Sequence, residues 1–240
     1  MSKSLLLAVL LLLGSVCAHA VDAPAPVTEA LQKVLPNTKI DSVAPSSMPG
    51  FYVAIVAGHV LHVSADGKYL IEGLILDVPN RADIKDADLA VMRKEALAKI
   101  PKERLLVFAP PHPKHKVVVF TDVDCPYCRQ FHKQIADYNR LGIEVDYVLF
   151  PLNIHPGADK KAEAVWCASD RNSAYTSAMN GQTVPQKTCD NPIKELVSGA
   201  LAMGLSGTPA ILTEDGSQVG GYVAPADLAQ RLDGANKAPN

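Results

Sequence analysis

The stretch KVVVFTDVDCPYC, residues 116–128, constrains this chain more than any other. KVVVFTDV reads as a buried strand, an apolar run too continuous for a half-solvated one. Two cysteines follow, two residues apart, opening a segment, CPYCRQFHKQIADYNRLG, that reads as one helix ending at Gly142. A cysteine at a helix start has its thiolate stabilised by the positive end of the helix dipole and by free backbone N–H groups. Cys125 takes that position, with Pro126 suited to the first turn. Cys128 falls one turn inside, less exposed but close enough to bond Cys125. The pair reads as a nucleophile and its resolver for thiol–disulfide exchange.

Two other chemistries compete for the same residues. A structural zinc site pairs one CxxC with a second CxxC or an HxxxH, and the remaining cysteines here lack that spacing. A purely structural Cys125–Cys128 bond would leave a helix-start CxxC without use. Two absences set the expected acidity. Six residues before Cys125, where thioredoxin-type chains often carry a buried acid, stands Val119, and Tyr127 between the cysteines holds no positive charge. Cys125 is therefore expected to be more acidic than a free thiol but less extreme than in the strongest oxidants.

The N-terminus MSKSLLLAVLLLLGSVCAHA has a basic residue, a short apolar core and a small-x-small end. It reads as a signal peptide over residues 1–20, cleaved after Ala20, because the apolar run is too short to span a bilayer. Cleavage removes Cys17 and leaves four of the five cysteines, an even count that suits an oxidising compartment. The formal net charge of −2 gives no reason to expect nucleic acid or an anionic membrane as partner.

Between the leader and the CxxC lie two different textures. VTEALQKVL reads as a short helix closed by Pro36, and FYVAIVAGHVLHVSADGKYLIEGLILDV as strands with Asp66-Gly67 as a hairpin signal. A piece this small buries little core alone, so pairing with a second copy would help it. Residues 83–100 read as an amphipathic linker helix, with Leu89, Met92, Ala96 and Ile100 on its apolar stripe. Asp86, Arg93, Lys94 and Lys99 point elsewhere, and Pro101 stops or kinks it. The alternative is that it is the first helix of the next domain.

After the CxxC helix, IEVDYVLFP reads as a strand, residues 156–182 as mainly helical, and Asn191-Pro192 as a helix start. TPAILTEDGSQVGGYV reads as a hairpin and PADLAQRLDG as a final helix stopped by Gly234. Strand–helix–strand followed by helix–hairpin–helix is a thioredoxin-like order with helical material inserted. Cys167 and Cys189 have no CxxC context; they are expected to staple the insert, contributing about 3–4 kcal/mol, with a second redox pair as the alternative. Thr208-Pro209 before a strand suggests a turn that presents backbone groups beside the thiols. His132 lies four residues after Cys128 and reads as a surface helix position. His59 and His62 in the N-terminal strands, and His112, His115 and His155 in loops, read as solvated or packing residues, and Trp166 as core.

FTDVDCPYC, the WC…C pair at 166–189, SGTPA and the block ending GLILDV together resemble the DsbC family of periplasmic disulfide isomerases, over essentially the whole chain past the leader. The resemblance implies an α+β N-terminal dimerisation domain (21–84), a linker helix (85–104) and a thioredoxin-like α/β catalytic domain with a helical insertion (105–240). It implies a V-shaped homodimer with linker helices extending outward around a shared apolar cleft. Cys125 and Cys128 would then be catalytic, Pro126, Tyr127, Thr208 and the cis-proline Pro209 would contact substrate, and Cys167–Cys189 would be a structural disulfide. The implied partners are misfolded disulfide-containing exported proteins and a membrane reductase of the DsbD type, in the periplasm, with chaperone-like binding and no metal or other cofactor. Pro126 departs from the glycine common at this place and gives the dipeptide of the related DsbG. A DsbA-like oxidase and a DsbG-like reductase or chaperone therefore stand as alternatives.

Overall fold

The structure, a computed structural model, describes residues 23–235. The expected leader over residues 1–20 lies outside the described residues.

The first unit is a helix on a meander. Helix α1 (Ala25–Val34) precedes four antiparallel strands in the order β1-β2-β3-β4: β1 (Ile40–Pro45), β2 (Phe51–Val56), β3 (His59–Ser64) and β4 (Leu70–Ile71). Val27 and Leu31 of α1 pack on Ala54, Val56, Leu61 and Val63, one face of the central hairpin. The turn joining β2 to β3 is Ala57-Gly58, both at positive φ, the handedness that matches the twist of a tight hairpin. Asp66-Gly67 lies in the next connection, where Val63 pairs with Leu70. A two-stranded ribbon follows, β5 (Leu76–Asp77) with β6 (Ala82–Asp83).

Helix α2 (Ile84–Ala98) starts under an Asp83 cap, whose carboxylate accepts from the Lys85 N–H. It ends before Pro101, which leads into a short 3-10 turn (Lys102–Arg104). Its inward face departs from the expected stripe: Asp88 and Arg93 are buried with Leu89, while Met92 and Ile100 are only partly so. Nor does the helix stand outward on its own. It lies against the C-terminal unit, with its Ala90 and Lys94 backbone over the turn at Gly216.

The second unit centres on a five-stranded sheet in the order β11-β10-β8-β9-β7. Strand β7 (Leu106–Phe108) forms one edge, and β8 (His115–Thr121) is central. Beyond α3 (Pro126–Lys133) and α4 (Ile135–Arg140), β9 (Ile143–Leu149) runs parallel to β8. Helices α5 (Ala158–Trp166) and α6 (Arg171–Met179) form the insert, and α7 (Ile193–Ala202) returns to the hairpin of β10 (Ala210–Thr213) and β11 (Gln218–Gly220). Helix α8 (Pro225–Ala235) follows. Val117 and Val119 pack into the core on one face of the sheet, and Val118 and Phe120 into the core on the other. That is why this strand is apolar at every position from Val117 to Phe120.

Three local expectations change. The helix after the CxxC is not continuous: it breaks at Gln134 (φ −103°, ψ 14°), which separates α3 from α4. Helix α8 runs through Gly234 rather than stopping there. His115 opens β8 rather than sitting in a loop.

Candidate active site

Strand β8 delivers the chain to the site and stops there. Its last residue, Thr121, is followed by the turn Asp122-Val123-Asp124, closed by the Cys125 N–H donating to the Asp122 carbonyl at 3.2 Å. Cys125 then occupies the cap position of α3 with extended backbone angles (φ −73°, ψ 122°), and Pro126 fills the first helical position. Both cysteines are free, with Cys125 at 5% exposure and Cys128 at 1%.

The two sulfurs sit in opposite environments. The Cys128 thiol donates to the Cys125 sulfur, and this outweighs the burial that opposes it. The Thr208 hydroxyl and the N–H groups of Cys128 and Tyr127 add to it, so the Cys125 pKa falls from 9.0 to about 5. The Thr208 hydroxyl is buried with no hydrogen bond of ordinary geometry, and the Thr208 carbonyl lies 3.2 Å from the Cys125 sulfur. Burial pushes the Cys128 thiol far up, and its bond to Cys125 adds to this; the Asp122 N–H and the Thr121 hydroxyl pull weakly the other way. The acidity expected for Cys125 thus has its cause mainly in its neighbour.

The other residues read from sequence fall around this pair. The Thr208–Pro209 peptide bond is cis and faces Cys125 from the turn before β10. Pro126 and Tyr127 are exposed beside the sulfur, Tyr127 at 61%. Cys167, at the end of α5, is bonded to Cys189 (S–S 1.98 Å), tying the insert to the approach to α7. Trp166 is core, with the Arg171 guanidinium 3.7 Å over its ring.

Several polar residues in the molecule escaped the sequence. His132 is not on the surface but buried, with Nδ1 3.1 Å from the Tyr147 hydroxyl and Nε2 3.0 Å from Thr176 Oγ1. Burial lowers its pKa to about 4, so it is neutral near pH 7. Asp122 is buried and accepts from the Asp124 N–H (2.8 Å), the Leu152 N–H (2.7 Å) and His155 Nδ1 (2.8 Å). Asp124 beside it binds Lys161 Nζ at 2.7 Å and Arg129 Nη2 at 3.2 Å. The Thr121-Asp122 pair ending a buried strand was the available signal for Asp122. Nothing in the sequence announced His155, which reaches it from the loop after β9.

A reactive thiol capping a helix, a buried partner thiol beneath it and a cis-proline turn opposite, on this sheet, define a thioredoxin-fold thiol–disulfide oxidoreductase. Residues 103–236 match the thioredoxin-like domain family, and residues 18–86 match the N-terminal domain of disulfide bond isomerase proteins. The chain is 35% identical over 236 residues to the thiol:disulfide interchange protein DsbC of Escherichia coli, covering 97% of this chain and 96% of that one. To DsbC of Haemophilus influenzae it is 33% identical over 220 residues, 90% of this chain and 94% of that one. A disulfide interchange protein from Neisseria gonorrhoeae matches in structure with a TM-score of 0.51 at 28% identity, over 58% of this chain and all of that one. The chain belongs to the DsbC family of thiol:disulfide interchange proteins.

Proposed function

We propose that this protein works in the periplasm as a homodimeric disulfide isomerase and reductase, with Cys125 as the attacking thiol and Cys128 as its resolver. The observation that carries the reading is the split between the two sulfurs: one thiol lowered to about 5, the other raised by burial. At neutral pH, Cys125 is a thiolate and Cys128 a thiol. The Cys125 thiolate attacks one sulfur of a wrong client disulfide, forming a new S–S bond and expelling the other client sulfur as a thiolate. That thiolate, or another client thiolate, can then attack elsewhere and finally displace Cys125, so the client is rearranged with no net oxidation. If rearrangement stalls, Cys128 loses its proton and attacks Cys125, leaving a Cys125–Cys128 disulfide and a reduced client. Because burial keeps Cys128 protonated, resolution is slow, which gives the client time to rearrange.

The surroundings support the rest of the reading. Exposed Pro126 and Tyr127, with Thr208 and Pro209 opposite, offer a client peptide contacts on both sides of the sulfur. Exposed Tyr127 and Ile154 suit the apolar segments of unfolded chains, the basis for chaperone-like binding. Leu74, Leu76 and Val78 are each more than half exposed on and around the β5–β6 ribbon, an apolar surface suited to pairing with a second copy. The leader-like residues 1–20 support export, and an isomerase that must start as a dithiol needs an electron donor, a membrane reductase of the DsbD type. Cys167–Cys189 acts as a structural staple.

A refolding assay on a scrambled multi-disulfide substrate tests this. Cys125→Ala should abolish repair, whereas Cys128→Ala should accumulate mixed disulfides. Repair that survives Cys125→Ala would leave only the chaperone activity. A CxxC pair found mostly oxidised in cells would favour the oxidase.

A further inference from the structure

His155 takes no part in the chemistry described so far. It lies in the loop after β9, its side chain 24% exposed, with Nδ1 2.8 Å from an Asp122 Oδ2 that is itself fully buried. Asp122 also touches both cysteines through its backbone. Its carbonyl accepts the Cys125 N–H, and its own N–H supports the Cys128 sulfur. One residue therefore ties the imidazole to the frame that carries the dithiol.

The loop leaves the ring little freedom. The Leu152 N–H donates to the same Asp122 oxygen at 2.7 Å, the His155 N–H to the Leu152 carbonyl at 3.0 Å, and the Ala158 N–H to the His155 carbonyl at 3.1 Å. The carboxylate of Asp122 thus holds the imidazole, while its carbonyl, at 3.2 Å, holds the Cys125 N–H at the start of α3. The charged groups around them are few. Asp122 stands at the end of β8, Asp124 in the turn is matched by Lys161 from α5 and Arg129 from α3, and the two residues between the cysteines, Pro126 and Tyr127, are neutral.

We propose that His155, clamped against the Asp122 carboxylate, is a positioning residue for the exchange reaction that lends positive charge to the Cys125 thiolate. The loop after β9 thereby supplies a cation that the CPYC dipeptide lacks. The inference rests on Cys125 being the attacking thiol. Its sign follows from mutual attraction: the Asp122 hydrogen bond chiefly, then the charges of Asp122, Cys125 and Asp124, hold the His155 proton, while burial opposes them. By reciprocity the imidazolium favours the thiolate to the same extent. When Cys125 enters a mixed disulfide its charge disappears, and His155 holds its proton less tightly.

The test is His155→Gln in the full-length reduced protein, with iodoacetamide alkylation of Cys125 followed from pH 4 to 7. The thiolate titration should move to higher pH and alkylation near pH 5 should slow about threefold, the size expected of a partly solvated charge pair. His155→Lys should recover part of the rate, which a merely structural role would not allow. The imidazole resonance of His155, followed by NMR, should titrate lower in Cys125→Ala than in the unaltered protein. That comparison leaves His155 in place and so decides even if the glutamine variant folds poorly. Superimposable alkylation curves together with an unmoved resonance overturn the inference while leaving Cys125 as nucleophile; loss of that reading shows separately, as repair surviving Cys125→Ala.

Discussion

Arg93 Nε donates to the Met203 carbonyl at 3.0 Å across 110 residues of sequence. The acceptor ends α7, where helix carbonyls lack intrahelical partners and a cation is favoured by the dipole. Around this bond the Ser42 hydroxyl reaches the Ala202 carbonyl at 2.9 Å, and Gly204 sits against Leu89, Ile55 and Val60. The N-terminal sheet, α2 and the catalytic unit therefore meet at one point.

Arg93→Met should test that junction. Burial lowers the Arg93 pKa, so its charge is held at a desolvation penalty that methionine avoids. The Met203 carbonyl, however, loses its donor, at a penalty of about 1–3 kcal/mol. A net loss in urea unfolding is expected, with faster amide exchange around Gly204. An unchanged midpoint would mean that the bond contributes nothing to docking.

Asp88 is the second buried junction. Its carboxylate accepts from Ser46 Oγ and the Ser47 N–H, each at 2.6 Å, and meets His62 Nε2 at 3.0 Å. Burial alone would raise its pKa, but the bonds from His62, Ser46 and Ser47 outweigh this and hold it below the usual range. A depressed folded pKa contributes stability that is complete above the unfolded value, about 4, and fades as pH falls through the lower folded one. Asp88→Asn should therefore cost about 1–3 kcal/mol at pH 7. The gap between the two proteins should narrow at pH 3, measured by urea unfolding at both pH values.

These junctions mark where sequence reading ran out. The buried β8 run, the CxxC and the SGTP turn each carry a local signal, so the strand, the helix start and the site between them were legible. Asp88, Arg93, His62 and His132 carry none, because a polar side chain is burial-tolerant only through partners supplied from distant segments. A period count on α2 necessarily put Arg93 in water, since its acceptor is 110 residues away. The break at Gln134 has neither proline nor glycine to announce it. His155 reads in sequence as an ordinary loop histidine because Asp122, its anchor, is adjacent only in the fold.

Cys128→Ala should make Cys125 less reactive at low pH. The Cys128 thiol is the largest cause of Cys125's acidity, and alanine removes that donor while leaving the helix N–H groups and Thr208. In the unaltered protein, alkylation of Cys125 should rise with a midpoint near the value of about 5. In the variant the midpoint should move up. A midpoint that stays in place would assign the acidity to the helix start instead.

The Cys167–Cys189 bond closes a loop with a sequence separation of 22. Replacing both residues with alanine frees that loop in the unfolded chain and should lower stability by about 3 kcal/mol. The groups that make Cys125 acidic are Cys128, Thr208 and the Tyr127 N–H, not the disulfide, so the alkylation midpoint of Cys125 should not move. Calorimetry and alkylation on the same preparation separate the two effects; a shifted midpoint would link the staple to the active site.

Gly216→Ala probes the contact of α2 with the hairpin most sharply. Gly216 has φ +86°, a left-handed conformation that strains any side chain, and a Cβ there would overlap the Ala90 carbonyl and the Lys94 nitrogen of α2. Both obstacles are backbone, so neither can step aside by changing rotamer. The strain alone is about 1 kcal/mol, and the overlap must be relieved by moving either the turn or the helix. Because the turn follows β10 while Thr208 precedes it, the thiols lie at the far end of that strand. The variant should therefore melt at lower temperature and exchange α2 amides faster, yet alkylate at Cys125 with an unchanged pH midpoint. A variant with wild-type melting would show that α2 does not rest on the hairpin in solution, and that this helix is as free as an outward linker would be.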